Sequence, residues 1–119
     1  MVVEGGVVVL YHQTDRSCWK LIQESGRMKC GSIGLAGGGI YFALSKSATD
    51  GKAHRTGVVL TCEVRLGRVK EISYSGDYSI TSESLRREGF DSVMIPRSAG
   101  HEYVVYQSDQ VTVLDHDYR

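Results

Sequence analysis

Apolar residues fall in short runs separated by glycine and polar stretches, and each run suggests an element. Val7, Val8, Val9, Leu10 and Tyr11 form a β-branched and aromatic run that predicts a buried strand. Asp15 then offers a helix cap, Trp19, Ile22 and Gln23 follow at helical spacing, and Gly26 provides the stop. Gly31, Gly34, Gly37, Gly38 and Gly39 lie close together, which predicts a flexible loop or a backbone that approaches a ligand closely. Residues 40–43 read as a short strand, and Ser45 or Ser47 as the cap of a helix running to about Ala53. Residues 58–66 predict a strand, continued over 69–72 after a turn at Gly67. Ser82 opens a short helix over 85–88 closed by Gly89, and residues 91–95 form a strand broken by Pro96. Two closing strands, 103–106 and 111–114, flank the polar turn 107–109.

Several short strands with two or three short helices predict an α+β domain, its strands predominantly antiparallel and its helices on the flanks. The 119 residues fit one domain, taken here as 1–119. A chain of this size buries roughly two-thirds of the surface its unfolded form exposes, enough for a true core. Fourteen basic residues balance fourteen acidic ones. That balance gives no broad positive field for holding nucleic acid by its phosphates, although a local patch stays open. Cys18, Cys30 and Cys62 are odd in number and include no C-x-x-C pair, so they read as reduced, partly buried thiols in a reducing compartment. No apolar run reaches the roughly 18 residues that span a bilayer. The apolar start, residues 1–10, carries Glu4 and lacks a basic region or cleavage site, so it reads as a strand and not a secretory signal. A cytoplasmic or nuclear location, and no membrane partner, are the corresponding expectations.

Four segments carry candidate chemistry. Leu10-Tyr11-His12-Gln13-Thr14 ends an apolar strand on a histidine, which by itself reads as a hydrogen-bonded structural residue. Gly37-Gly38-Gly39-Ile40-Tyr41-Phe42-Ala43 runs a triple glycine into a strand without the Lys-Ser/Thr of a P-loop. Ser45-Lys46-Ser47-Ala48 is a helix start that offers hydroxyl and backbone donors. His101-Glu102-Tyr103-Val104-Val105-Tyr106 opens an apolar strand on an acid, which alone reads as an edge-strand charge. The tail from Asp115 to Arg119 has ligand-type residues without fixed spacing, so no metal site is expected. His54 and His116 read as surface groups and Trp19 as core.

In this order, the four segments resemble the poly(ADP-ribose) polymerase and diphtheria-toxin branch of the ADP-ribosyltransferases, which carries a His-Tyr-Glu triad on three separate strands. The resemblance runs from Val7 to about Leu114 and includes a strand ending in Val-Arg-Leu-Gly at residues 64–67. It implies the ADP-ribosyltransferase fold, two packed and mainly antiparallel β-sheets flanked by short helices. It implies NAD+ as co-substrate, with Glu102, Tyr41 and His12 catalytic. Glu102 would bond the 2′-hydroxyl of the nicotinamide ribose and stabilise the oxocarbenium-like sugar left as nicotinamide departs. Tyr41 would stack on the nicotinamide ring, worth roughly 0.5–1.5 kcal/mol beyond burial. His12 would bond the adenosine ribose, Gln13 and Ser47 the nicotinamide carboxamide, Thr14 the adenine ribose, and Arg27 the adenosine end. The reaction implied is mono-ADP-ribosylation, with NAD+ hydrolysis beside it. The acceptor is not legible, with a protein side chain favoured over nucleic acid or water.

Two positions depart from the family pattern. Gln13 stands where glycine is usual, and Asp50 lies near where a second ring-stacking tyrosine is expected, a place that His54 or Tyr74 would have to fill. The segment between Val69 and Glu102 is short, which favours transfer of single units over polymer synthesis. The departures motivate a second reading, a non-catalytic NAD+, ADP-ribose or partner-binding module of the same fold. An RNA 2′-phosphotransferase is a third, disfavoured because no arginine cluster is present. Arg97 and Ser98, just before Glu102, read either as acceptor-side residues or as a plain surface loop.

Overall fold

The computed structural model describes residues 2–4, 6–28, 32–51, 53, 55–98 and 100–119. In chain order the elements are β1 (Val2–Glu4), β2 (Val7–Thr14), α1 (Arg16–Ser25), β3 (Ser32–Gly34), β4 (Gly37–Ala43) and α2 (Lys46–Asp50). They continue with β5 (Val58–Arg65), β6 (Arg68–Glu71), α3 (Ser82–Arg87), β7 (Ser92–Ile95), β8 (Glu102–Val105), a 3-10 turn (Ser108–Gln110) and β9 (Val111–Tyr118). Hydrogen bonding orders the strands β1-β6-β7-β8-β4-β2-β5-β9, with β3 attached to β4. The β6–β7 pair is parallel and the other described pairings are antiparallel. The domain is therefore α+β, a mixed and mainly antiparallel sheet with few, short helices. No helix among the described residues is long and apolar enough to cross a membrane.

One join divides the sheet. β2 and β5 pair along their whole length, from Val7↔Arg65 to Thr14↔Val58. β4 and β8 pair from Ile40↔Val105 to Ala43↔Glu102. β2 and β4 meet only at Tyr11↔Ala43. Two limbs result, β2-β5-β9 and β4-β8-β7-β6-β1. Their facing sides share the larger core, where Leu10, Leu60 and Val64 of one limb meet Ile40, Phe42 and Val105 of the other. Because successive strand residues point to opposite faces, Val93, Ile95 and Val104 form a second cluster on the back of the latter limb, under Ile80 and Leu85.

Local chemistry sets most element ends as expected. Asp15 accepts from the Cys18 N–H at 2.7 Å, and Gly26 stops α1 in the left-handed region at φ 72°. Between these caps Trp19 and Ile22 turn into the larger core. Each such side chain stabilises by about 1.5–3 kcal/mol when fully buried. Ser45, and not Ser47, caps α2, which ends at Asp50 instead of near Ala53. Thr81, one residue before the expected Ser82, caps α3.

Other expectations change. The apolar start is two strands, since β1 pairs with distant β6 while β2 pairs with β5. Gly37, Gly38 and Gly39 belong to β4, not to a flexible loop. The close approaches of Gly37 and Gly39 are to the chain itself. A Cβ on Gly39 would stand 2.7 Å from Val104 Cγ1, and Gly37, at φ 74°, faces the Ile80 carbonyl. The final strand runs to Tyr118, because β5 extends the ladder to Val58↔Tyr118 past a register shift at Thr61/Cys62. Trp19 is core as expected, while His116 is exposed yet lies over it with ring centroids 5.2 Å apart.

The cysteines do not behave alike. Cys62 is a buried free thiol whose pKa burial pushes up to about 12, so it is inert as a nucleophile. Cys18 is disulfide-bonded, contrary to the reduced state expected of an odd, unpatterned set. Sequence spacing alone does not reveal which cysteines the fold brings near each other. The expectation for Cys30 lies outside the described residues.

Candidate functional site

Tyr41 and Glu102 are brought together by the β4–β8 ladder. Tyr41 pairs with Val104 and Ala43 with Glu102. Directly opposed residues share a face and so do residues two apart, so Tyr41, Ala43, Val104 and Glu102 all point the same way. Glu102 therefore begins a central strand flanked by β4 and β7, and it is not an edge-strand charge. His12 belongs to the opposite face, beside Phe42 with centroids 5.6 Å apart. It reaches the same locality through the β2–β4 join, where its Nδ1–H donates to the Tyr41 carbonyl at 2.7 Å.

That bond fixes the chemistry of His12. A carbonyl only accepts, so Nδ1 carries the proton and Nε2 is the acceptor of the neutral ring. Burial lowers the His12 pKa below its ordinary 6.5, more than the bond to Tyr41 raises it, so the ring is neutral at pH 7.

Tyr41 is held by the turn that precedes it. Its hydroxyl donates to the Gly37 carbonyl at 2.5 Å and accepts from the Ala36 N–H at 2.9 Å. Gly34 lies against the ring, where a Cβ would come within 2.8 Å of Cζ. Desolvation raises the Tyr41 pKa most, and the nearby Glu102 and Tyr78 add to the rise, so the phenol stays protonated. Tyr106 clasps the same turn from β8's far end, its hydroxyl donating to the Ala36 carbonyl. Ala36 is thus bonded through both backbone groups by the two tyrosines.

Glu102 is nearly buried, its side chain 11% exposed, and Oε2 lies 2.9 Å from Arg97 Nε. Arg97 is exposed, in the loop between β7 and β8. It is the counter-charge of the candidate carboxylate. Only its nearness in sequence hinted at this.

Gln13 and Asp50, the two departures from the motif, are bonded to each other. Gln13 Nε2 donates to Asp50 Oδ1 at 2.7 Å and to Thr49 Oγ1 at 2.9 Å. Its Oε1 accepts from the Gly57 N–H at 3.3 Å. The amide is fully used in tying β2 to α2 and to the start of β5, so the side chain turns toward α2. Asp50 Oδ2 also pairs with Arg119 at 3.5 Å. Positive φ among the described residues is confined to glycines, so Gln13 is in ordinary extended backbone.

Thr14 is 1% exposed and pairs with Val58. Ser47 is exposed, 3.4 Å from Ser45 Oγ. Arg27 is exposed, its N–H bonded to Ser25. Tyr74 is 74% exposed, and His54 lies outside the described residues. Among the described residues no group of three His, Cys, Asp or Glu side chains is arranged to hold a metal ion. A separate cleft of about 410 Å³, lined by Arg65, Ser82, Arg86, Phe90 and Gln110, includes Tyr106 but neither Tyr41 nor Glu102. Comparison of the chain with models of protein families and with curated protein sequences finds no match.

Proposed function

We propose that the chain binds NAD+ and breaks its nicotinamide–ribose bond, transferring single ADP-ribose units to an acceptor or to water. The observation that carries this reading is the convergence of His12, Tyr41 and Glu102 from three adjoining strands at one join of the sheet. Their chemistry suits the reaction. The glycosidic electron pair leaves with nicotinamide, and the ribose develops positive charge. A nearly buried carboxylate close to that charge stabilises it far more than water would. Glu102 takes this role and accepts from the ribose 2′-hydroxyl. Tyr41, an aromatic ring held through its hydroxyl, stacks on nicotinamide. Neutral His12 accepts from a ribose hydroxyl through Nε2. Gln13 contributes backbone groups to the carboxamide, in keeping with its negative φ and the retreat of its side chain toward α2.

The finer architecture belongs to the same proposal. The limbs on either side of Tyr11↔Ala43 correspond to the two packed sheets of the ADP-ribosyltransferase fold. A dinucleotide would lie across the β2–β4 join, touching His12 from one face and Tyr41 and Glu102 from the other. A protein side chain is the favoured acceptor.

The test is incubation with NAD+ while nicotinamide release and label transfer are followed, beside Glu102→Gln. Loss of about 100-fold or more in the release rate is expected for the variant, the scale for removing an electrostatic group from a reacting centre. Equal release from both proteins rejects Glu102. A second reading, a binding module without turnover, is favoured by Gln13 and Asp50, which depart from the motif together. Calorimetric titration with NAD+ separates the two: heat of binding with no nicotinamide formed supports the module.

A further inference from the structure

Glu102 sits between Ala43 on β4 and Ile95 on β7, and neither of these register partners offers a countercharge. A carboxylate this deeply placed is costly without an opposite charge and hydrogen bonds on its oxygens. The countercharge comes from the connection between β7 and β8. Pro96 follows Ile95 and fixes the backbone angle at which the chain leaves β7. Arg97 comes next, its carbonyl accepting from the Gly100 N–H at 3.2 Å, and Gly100 turns back at φ 114°. This tight return brings Arg97 Nε to 2.9 Å from Oε2 of Glu102, while the Arg97 side chain itself remains 36% exposed.

We propose that Arg97 is a positioning residue for the reaction, holding the Glu102 carboxylate by Oε2 so that Oε1 is presented to the ribose 2′-hydroxyl. The proposal rests on the NAD+ reading above. A carboxylate with one oxygen fixed has one rotational setting about its last bond. A free one samples several, and small misplacements at a reacting centre are expensive in rate. The guanidinium also offsets part of the carboxylate's charge. Its exposure to solvent screens that effect, whereas the Oε2 end of the ion pair is sheltered with Glu102, so orientation outweighs the loss of field.

The experiment measures steady-state nicotinamide release and calorimetric NAD+ affinity for the wild-type chain, Arg97→Gln, Arg97→Lys, Glu102→Gln and the double variant Arg97→Gln/Glu102→Gln. The expected kcat loss in Arg97→Gln is roughly 10- to 100-fold with KM and NAD+ affinity unchanged. Arg97→Lys recovers part of that loss, because a cation is kept without the planar guanidinium. The double variant is no slower than Glu102→Gln alone, since Arg97 acts only through the carboxylate. Thermal midpoints accompany every variant. If Arg97→Gln does not fold, Arg97→Lys in the wild-type and Glu102→Gln backgrounds carries the same comparison. Wild-type release by Arg97→Gln, or an Arg97 effect undiminished in the Glu102→Gln background, overturns the proposal and leaves the NAD+ reading standing. Absence of nicotinamide release from the wild-type chain overturns that reading and the proposal with it.

Discussion

On the hairpin side of the candidate site, Tyr41 and Tyr106 bond the two backbone groups of Ala36, and Gly34, Gly37 and Gly39 give way to rings and carbonyls. On the helix side, Gln13 and Asp50 replace the residues a motif would lead one to expect, and they bond to each other. The hairpin side is fixed by short-range sterics, where a single atom added to a glycine has nowhere to go. The helix side is fixed by an exchangeable polar contact between residues 37 apart in sequence. The contrast teaches that motif glycines can serve the protein's own backbone, and that motif departures can come as coupled pairs.

Adding one carbon to the hairpin breaks the comparison most severely. Gly37→Ala combines left-handed backbone with contact against the Ile80 carbonyl, and it is expected to destabilise by about 3 kcal/mol or more. Gly38→Ala, whose added carbon meets nothing within 4 Å, is the control and is expected to cost well under 1 kcal/mol by urea unfolding, about the scale of an ordinary surface change. Equal losses at the two positions would remove the steric account of the triple glycine.

Tyr106→Phe deletes the hydroxyl that satisfies the Ala36 carbonyl. A loss of about 1–3 kcal/mol is expected, together with faster hydrogen exchange at the Ala36 amide. Unchanged exchange would mean that the turn does not depend on its second tyrosine.

The helix side is sharpened by a double-mutant cycle. Gln13→Ala and Asp50→Ala should be non-additive by about 0.5–1.5 kcal/mol, because each removes the same bond. Strict additivity would show that the two departures are independent.

The smallest effect is a pH dependence. The His12 pKa is lowered in the folded chain below its ordinary 6.5, so at acid pH the unfolded chain binds more protons. Stability is then level above 6.5 and falls as pH drops below it toward the folded value, by at most about 1.4 kcal/mol per pH unit. Urea unfolding at pH 7.5 and 5.5 measures this, and His12→Asn should flatten the profile over that window. A wild-type profile already flat there would argue against a buried, neutral ring.

Much of this was legible in the sequence where the cause is local. Asp15 and Gly26 bound α1 because caps act within one turn, and Glu102 opens β8 where the polar-to-apolar change falls. The trio itself was legible only as a resemblance, since three short motifs carry no distances. The triple glycine reads as a loop because composition does not reveal that Val104 and Tyr106 come to stand against Gly39. The Gln13–Asp50 bond, the Tyr106 clasp of Ala36 and the disulfide state of Cys18 all depend on pairings made across the fold. Arg97 was visible as a nearby residue. Its ion pair with Glu102 depends on the tight return between Pro96 and Gly100.

The central claim is that His12, Tyr41 and Glu102 form one NAD+ site, and a crystal structure with a hydrolysis-resistant NAD+ mimic tests it most directly. The account predicts the nicotinamide ring stacked on Tyr41, with the ribose 2′-hydroxyl within hydrogen-bond reach of Glu102, roughly 2.6–3.2 Å. Density for the mimic only in the cleft lined by Arg65, Arg86 and Phe90, or a saturated soak with none at the β2–β4 join, would contradict it.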